Sequence, residues 1–299
     1  MCIRDRLCPG QGSQKPGFLS PWLDDEALRT RLAGLGDVVG LDLVRLGTEA
    51  DEETIKDTAI AQPLIVAAGI VAGERLKEAL TGEDLVWAGH SVGEITAAAL
   101  SGVLSAEDAL RFIKVRAEGM ARAAAAEPTG MAAVLGGDEE QVRAAIEEAG
   151  LTAANANGGG QIVAAGTAAQ LEAFAAAPPA RTRVIPLKVA GAFHTHHMRP
   201  AVGPLQELAR GLEPAEPVST LLSNRDGKPV TSGAAALQSL VDQVTRPVRW
   251  DLCQQKLLEL GVDSAWELPP AGTLTGLARR AMKGVPVTAL SSPEQLPQP

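Results

Sequence analysis

The chain alternates between short apolar runs and longer segments of helical period. "DLVWAG" (residues 84–89) is a compact apolar run ending in glycine, the pattern of a buried strand. "VGEITAAALSG" follows it, rich in alanine and closed by glycine as helices are. "SAEDALRFIKVRAEGMARAAAA" then opens on Ser105-x-x-Asp108, a capping-box spacing, and keeps helical period to about residue 126. Upstream, "PLIVAAGIVAG" from Pro63 is too short to span a bilayer and passes into "ERLKEAL"; it predicts a buried helix with proline in its first turn.

From Gly130 the texture changes. "MAAVLGG", "DEEQVRAAIEEAG", "LTAANAN", "QIVAAG", "TAAQLEAFAAA" and "RTRVIPLKV" read as β, α, β, β, α, β, the order of a small ferredoxin-like lobe. Past about residue 197, helices and short strands resume in "AVGPLQELARGL", "SLVDQV" and "TLTGLARRAMKG". The expected organisation is therefore a main domain of residues 1–126 and 198–299, interrupted by a lobe of residues 127–197. The last stretch, "SSPEQLPQP", predicts a frayed tail.

Composition narrows the function classes. At 299 residues one large α/β domain or a domain with an inserted lobe is expected. Aromatics are only 3% and tyrosine is absent, so the core must come from Ala, Leu and Val. A net charge of -9 without a Lys/Arg run argues against nucleic acid or an anionic membrane as a partner. Cys2, Cys8 and Cys253 have no metal-ligand spacing and cannot all pair, which points to a reduced, cytoplasmic setting. The first residues lack the apolar core of a signal peptide.

The candidate chemistry sits between the strand and the helix first described. In "GHSVGE", Ser91 stands between Gly89 and Gly93, as in a nucleophile elbow, where a strained turn needs neighbours with no side chain. The alternative is a glycine-rich turn that contains a serine by chance. The following helix would aim N-terminal amides at an oxyanion beside Ser91. A serine also needs a base. Of the four histidines, His90 adjoins the serine and should point away from its pocket, so the base must come from "GAFHTHHM". Its histidines could instead hold a metal, but no Cys or carboxylate in the segment completes a ligand set. No histidine follows residue 197, unlike the usual order of an α/β-hydrolase.

Together the motifs resemble those of malonyl-CoA:acyl carrier protein transacylases. "PGQGSQ" (9–14), "AQPLI" (61–65), "GHSVGE", "VRAEGM" (115–120), "GAFH", "SNRDGKPV" and "RPVRW" match that family in order over nearly the whole chain. The resemblance implies an α/β-hydrolase-like main domain with a ferredoxin-like insertion. It also implies Ser91 as nucleophile, His194 as general base and acid, and the amides of Gln11 and Val92 as oxyanion hole. It assigns the carbonyl of Arg249 to orient His194, and Gln62 and Phe193 to the acyl pocket. Arg116 becomes the residue that holds the malonyl carboxylate, for which a planar guanidinium is suited by two parallel hydrogen bonds. The bulk of Phe193 matches selection of malonyl over a branched acyl group.

The activity so implied is transfer of malonyl from malonyl-CoA to the phosphopantetheine thiol of acyl carrier protein through a malonyl-serine. It needs no metal or redox cofactor, and a monomer is expected. An acidic carrier needs a basic docking face, for which Arg279, Arg280 and Lys283 are candidates beside the alternative of an ordinary solvated helix. A chain of this length with no fused partner favours fatty acid over polyketide synthesis. Rivals remain: a serine hydrolase, either a thioesterase or a patatin-like lipase pairing Ser91 with Asp226, and a silent carrier-binding module. Three departures from the family pattern stand out. "MCIRDRL" places Arg4, Asp5 and Arg6 where an apolar first strand belongs, which points to an altered terminus. "ELPPAG" alters a late turn, and "THHM" adds His196 and His197.

Overall fold

The computed structural model describes residues 3–80 and 84–297; Cys2 and the last two residues of the tail lie outside them. Its strands are β1 (Ile3–Cys8), β2 (Asp84–Gly89), β3 (Thr129–Gly136), β4 (Thr152–Gly158), β5 (Gln161–Thr167), β6 (Thr182–Pro186), β7 (Thr220–Leu222), β8 (Val248–Arg249), β9 (Ser264–Glu267) and β10 (Val287–Ala289). They form two five-stranded sheets, ordered β10-β9-β1-β2-β7 and β6-β3-β5-β4-β8. The first is parallel throughout. Parallel neighbours need crossover segments, which the long helices provide.

The first strand forms although its sequence is charged. β1 lies between β2 and β9, and Asp5 and Arg6 are fully buried there. The second sheet carries the expected β, α, β, β, α, β series, with helices Glu139–Glu148 and Ala168–Ala176 between antiparallel strands. It does not stop at residue 197: β8, from far along the chain, adds to β4 in parallel. The site lies close to this junction, because the residues before β8 turn back toward the first sheet.

Two helices frame the site. Thr58–Ala79 is capped by Asp57, whose carboxylate accepts the Ala59 amide. Pro63 therefore lies inside the helix and not in its first turn, a correction that follows from the cap Asp57 acting six residues ahead of the proline. By length and composition this helix could cross a membrane, but 78% of its apolar window is buried inside the protein, so it serves as a core helix. The second, Ala106–Ala126, is capped by Ser105 as the sequence predicts.

The tail differs from expectation, and the late turn has its own anchor. The Gln295 side chain accepts the Ser291 and Ser292 amides, and Leu296 reaches the core, so the tail is folded down through the described residues. In "ELPPAG", buried Glu267 accepts the amides of Gly272, Leu274 and Thr275 and the Thr275 hydroxyl. That carboxylate anchors the start of helix Thr273–Ala281, where an anion is favoured.

Candidate active site

β2 ends in a turn that leads directly into helix Gly93–Leu100. Ser91 sits at the turn with φ 54, a left-handed conformation that costs a non-glycine residue of the order of 1 kcal/mol or more. The helix packs too closely for larger neighbours. A Cβ on Gly89 would lie 2.1 Å from the Gly93 carbonyl, and one on Gly93 would lie 2.0 Å from the Cys8 carbonyl. The two glycines are thus required by backbone contact, with each other and with β1.

His194 meets the serine from the segment after β6. Ser91 Oγ and His194 Nε2 are 2.7 Å apart, and His194 Nδ1 is 2.8 Å from the Gln243 carbonyl. A carbonyl can only accept, so Nδ1 carries the proton and Nε2 presents its lone pair to the serine hydroxyl. His194 is itself held at φ 63 and is 3% exposed. Burial, then the nearby Arg116 charge, depress its pKa to about 3, so the ring is neutral across ordinary pH.

The carbonyl that orients His194 belongs to Gln243, not to Arg249. The short 3-10 turn Gln243–Thr245 ends helix Gly233–Asp242 beside the imidazole, whereas Arg249 lies in β8. There its amide donates to the Asn224 carbonyl and its guanidinium pairs with Asp251. The sequence expectation placed the carbonyl six residues too late in the same segment.

Arg116 is fully buried on helix Ala106–Ala126. Its Nη1 donates to Gln62 Oε1 at 2.7 Å and its Nη2 to Gln243 Oε1 at 3.0 Å. Nε has no partner among the described residues. Burial lowers its pKa to about 10, still well above neutral, so the guanidinium is charged. Gln62 Nε2 in turn reaches Gln11 Oε1 at 3.2 Å. Below the elbow, Asn224 Oδ1 accepts the Ser91 amide at 2.8 Å, its Nδ2 donates to the Gly89 carbonyl, and its own amide donates to Glu94. Glu94 also accepts from Gln243 Nε2, and burial raises its pKa to about 7.

The loop after β1 packs on the elbow: the His90 amide donates to the Cys8 carbonyl, and a Cβ on Gly10 would approach the His90 carbonyl to 2.8 Å. Among the described residues, no hydrogen bond engages the amide of Gln11 or of Val92. A cavity of about 430 Å³ opens beside this loop, lined by Gln11, His90, Asn157, Lys188, Thr273 and Arg280 among others. His90 therefore faces this cavity, with its Nε2 2.9 Å from Asn157 Oδ1, and makes no hydrogen bond to Ser91.

The sequence profile of the acyl transferase domain matches residues 7–294. A malonyl CoA-acyl carrier protein transacylase from Mycobacterium bovis is 53% identical over 292 residues, 97% of each chain. The chain belongs to this acyl transferase family. Among solved structures, the MCAT of Mycobacterium tuberculosis superposes with a TM-score of 0.95 at 52% identity, covering 98% of both chains. A malonyl-transacylase in complex with a type II PKS acyl-carrier protein superposes with a TM-score of 0.93 at 29% identity, covering 99% of this chain and 98% of that one.

Other residues singled out in this acyl transferase fall into place unevenly. Phe193 is buried beside His194, and Val92 is fully buried at the start of the elbow helix. Arg279, Arg280 and Lys283 are all exposed, and Arg280 also lines the cavity and donates to Gln161. His197 pairs with Glu127 at 2.9 Å and stacks on His196, whose ring is 4.1 Å away. Asp226 accepts the Lys228 amide in its own loop; the residue of that loop that reaches Ser91 is Asn224. The sequence reading missed Asn224, Glu94 and Gln243. The first two lie inside quoted motifs, but nothing in their type revealed that they would be buried partners of one another.

Proposed function

We propose that the chain transfers a malonyl group from malonyl-CoA to the phosphopantetheine thiol of acyl carrier protein, through a malonyl ester on Ser91. The observation that carries this reading is the Ser91–His194 contact of 2.7 Å joined, through Gln243, to a buried arginine. A nucleophile with a neutral base can accept any acyl group; a buried guanidinium beside it favours one that ends in a carboxylate. The curated relative named above is a malonyl transacylase. The two-sheet layout supports an α/β-hydrolase-like main domain, residues 1–126 and 198–299, around a ferredoxin-like insertion, residues 127–197.

In the first half-reaction the thioester carbonyl lies over Ser91, and Nε2 of His194 takes the hydroxyl proton as Oγ attacks. The imidazolium so formed is held by the Gln243 carbonyl through Nδ1–H. The free amides of Gln11 and Val92 receive the oxyanion, a donor of this kind being worth about 3 kcal/mol. The C–S bond then breaks and His194 returns its proton to the CoA thiolate. In the second half, the carrier thiol gives its proton to His194, its sulfur attacks the ester, and Ser91 recovers the proton as it leaves. Pairing of the malonyl carboxylate with Arg116 offsets part of the charge that suppresses His194, so the correct acyl group strengthens the base. Phe193 narrows the space beside the acyl chain. The cavity that passes Gln11 and His90 suits the phosphopantetheine arm.

The reaction requires no resident cofactor. The reading places the enzyme in the cytoplasm, as a monomer in fatty acid synthesis; buried free Cys8 and Cys253 suit a reducing compartment. A polyketide carrier as acceptor is a second reading, favoured by the carrier complex of the 29% identical neighbour. The test is a two-step mass measurement. Malonyl-CoA alone should load one malonyl group, and added phosphopantetheinylated carrier protein should remove it and gain it. Release of CoA and free malonate with no adduct and no loaded carrier would make the chain a thioesterase.

A further inference from the structure

The reaction derived above leaves Glu94 without a role, although it is 2% exposed and lies three residues after the nucleophile. Its position gives it one. The Nε2 of Gln243 is surrounded by acceptors: a Glu94 carboxylate oxygen, the Ser91 carbonyl at 3.1 Å and Asn224 Oδ1 at 3.3 Å. An amide nitrogen is the only end of Gln243 that can face them, so its oxygen must face Arg116, where it accepts from Nη2. Turned over, the amide would set a donor against the guanidinium and an oxygen against three oxygens.

Glu94 also supplies the charge that a buried guanidinium needs. Among the described residues no carboxylate lies within ion-pair distance of Arg116, and its only acceptors are the neutral amide oxygens of Gln62 and Gln243. Once ionised, above its raised pKa of about 7, Glu94 is the anion on the far side of the Gln243 amide. A carboxylate placed directly on Arg116 would compete with the substrate; one amide away, it compensates the charge and leaves guanidinium donors open.

We propose that Glu94 is a specificity-determining positioning residue, which through the Gln243 side chain orients Arg116 for acyl groups that end in a carboxylate. This rests on the malonyl-transfer reading. A malonyl adduct on the wild type is the control for that reading, and its absence would sink the reading independently of Glu94.

The experiment is a competition between malonyl-CoA and acetyl-CoA, read as the ratio of initial acylation rates by intact mass. Glu94→Gln offers Gln243 a donor as well as an acceptor, so the amide loses its fixed orientation. The malonyl-to-acetyl ratio should fall about tenfold or more, the scale of one hydrogen bond to a charged group. A loss of stability that slows both donors equally, with the ratio unchanged, would overturn the proposal. The double variant Glu94→Gln with Gln243→Glu rebuilds a donor–acceptor pair but moves the carboxylate onto Arg116. Its ratio should stay low. Recovery of the wild-type ratio in the double variant would show that only hydrogen-bond complementarity mattered and would equally overturn the proposal. Should Glu94→Gln fail to fold, the double variant decides by the same two outcomes.

Discussion

Two buried acid–base pairs lie a few residues from the ends of adjacent strands, and the protein treats them differently. Beyond β2, both Glu94 oxygens accept donors, one from the Asn224 amide and one from Gln243, while Arg116 is held by two amide oxygens. In β1, Asp5 accepts only the amide of its own neighbour Arg6, and its Oδ2 has no partner among the described residues. Burial raises the Asp5 pKa to about 8; Arg6 donates to the Asp5 carbonyl and lies 4.6 Å over the Trp266 ring. Neighbouring residues on a strand point to opposite faces, so Asp5 and Arg6 meet through their backbone groups and one Asp5 oxygen is left over. The buried charges of the site instead find their partners in distant segments, at Gln62, Asn224 and Gln243.

The contrast can be broken hardest on its satisfied side. Arg116→Ala strands the Gln62 and Gln243 oxygens and leaves Glu94 uncompensated; malonyl loading should fall about a hundredfold or more, on the scale of breaking a buried charge pair. Single-turnover mass spectrometry would read it, and acetyl loading should fall far less. Equal losses for both donors would remove Arg116 from selection. On the Asp5 side the sign reverses. Asp5→Val should stabilise the fold near neutral pH by about 1 kcal/mol or more, because an apolar strand residue replaces a buried acid with an unmatched oxygen. A lower urea midpoint in the variant would contradict this.

A subtler effect depends on pH. Asp5 binds its proton more tightly folded than unfolded, so its stability contribution is full below pH 4 and is lost as pH rises through about 8. Asp5→Asn removes that loss. The variant's stability advantage should therefore grow between pH 4 and 8, with a slope approaching about 1 kcal/mol per pH unit, and a flat difference would show that Asp5 is ionised throughout. The smallest effect is expected at Arg249→Ala. Its side chain engages only Asp251 in the interactions described, a partly buried pair worth about 1 kcal/mol, and the histidine carbonyl belongs to Gln243.

The sequence made some of this legible and hid the rest for a physical reason. Period and capping marked the helix Ala106–Ala126 and the β, α, β, β, α, β succession along residues 127–197, because those depend on local pattern. The elbow glycines were readable because a backbone contact leaves no alternative residue. Pro63 misled: proline favours a first turn, but the Asp57 cap decided the start. The charged residues of β1 depart from an apolar strand pattern, and tertiary pairing with β2 and β9 overrides that local signal. Gln243 was missed because its role lies in a carbonyl that every residue possesses and in an amide whose partners are 19 to 152 residues away.

The central claim is that Ser91, served by neutral His194, carries the acyl group. Peptide mapping after a brief reaction with malonyl-CoA tests it most directly. The account predicts a malonyl ester on the peptide containing Ser91 in the wild type and none in Ser91→Ala. An adduct mapped to another residue, or one that persists in Ser91→Ala, would contradict it.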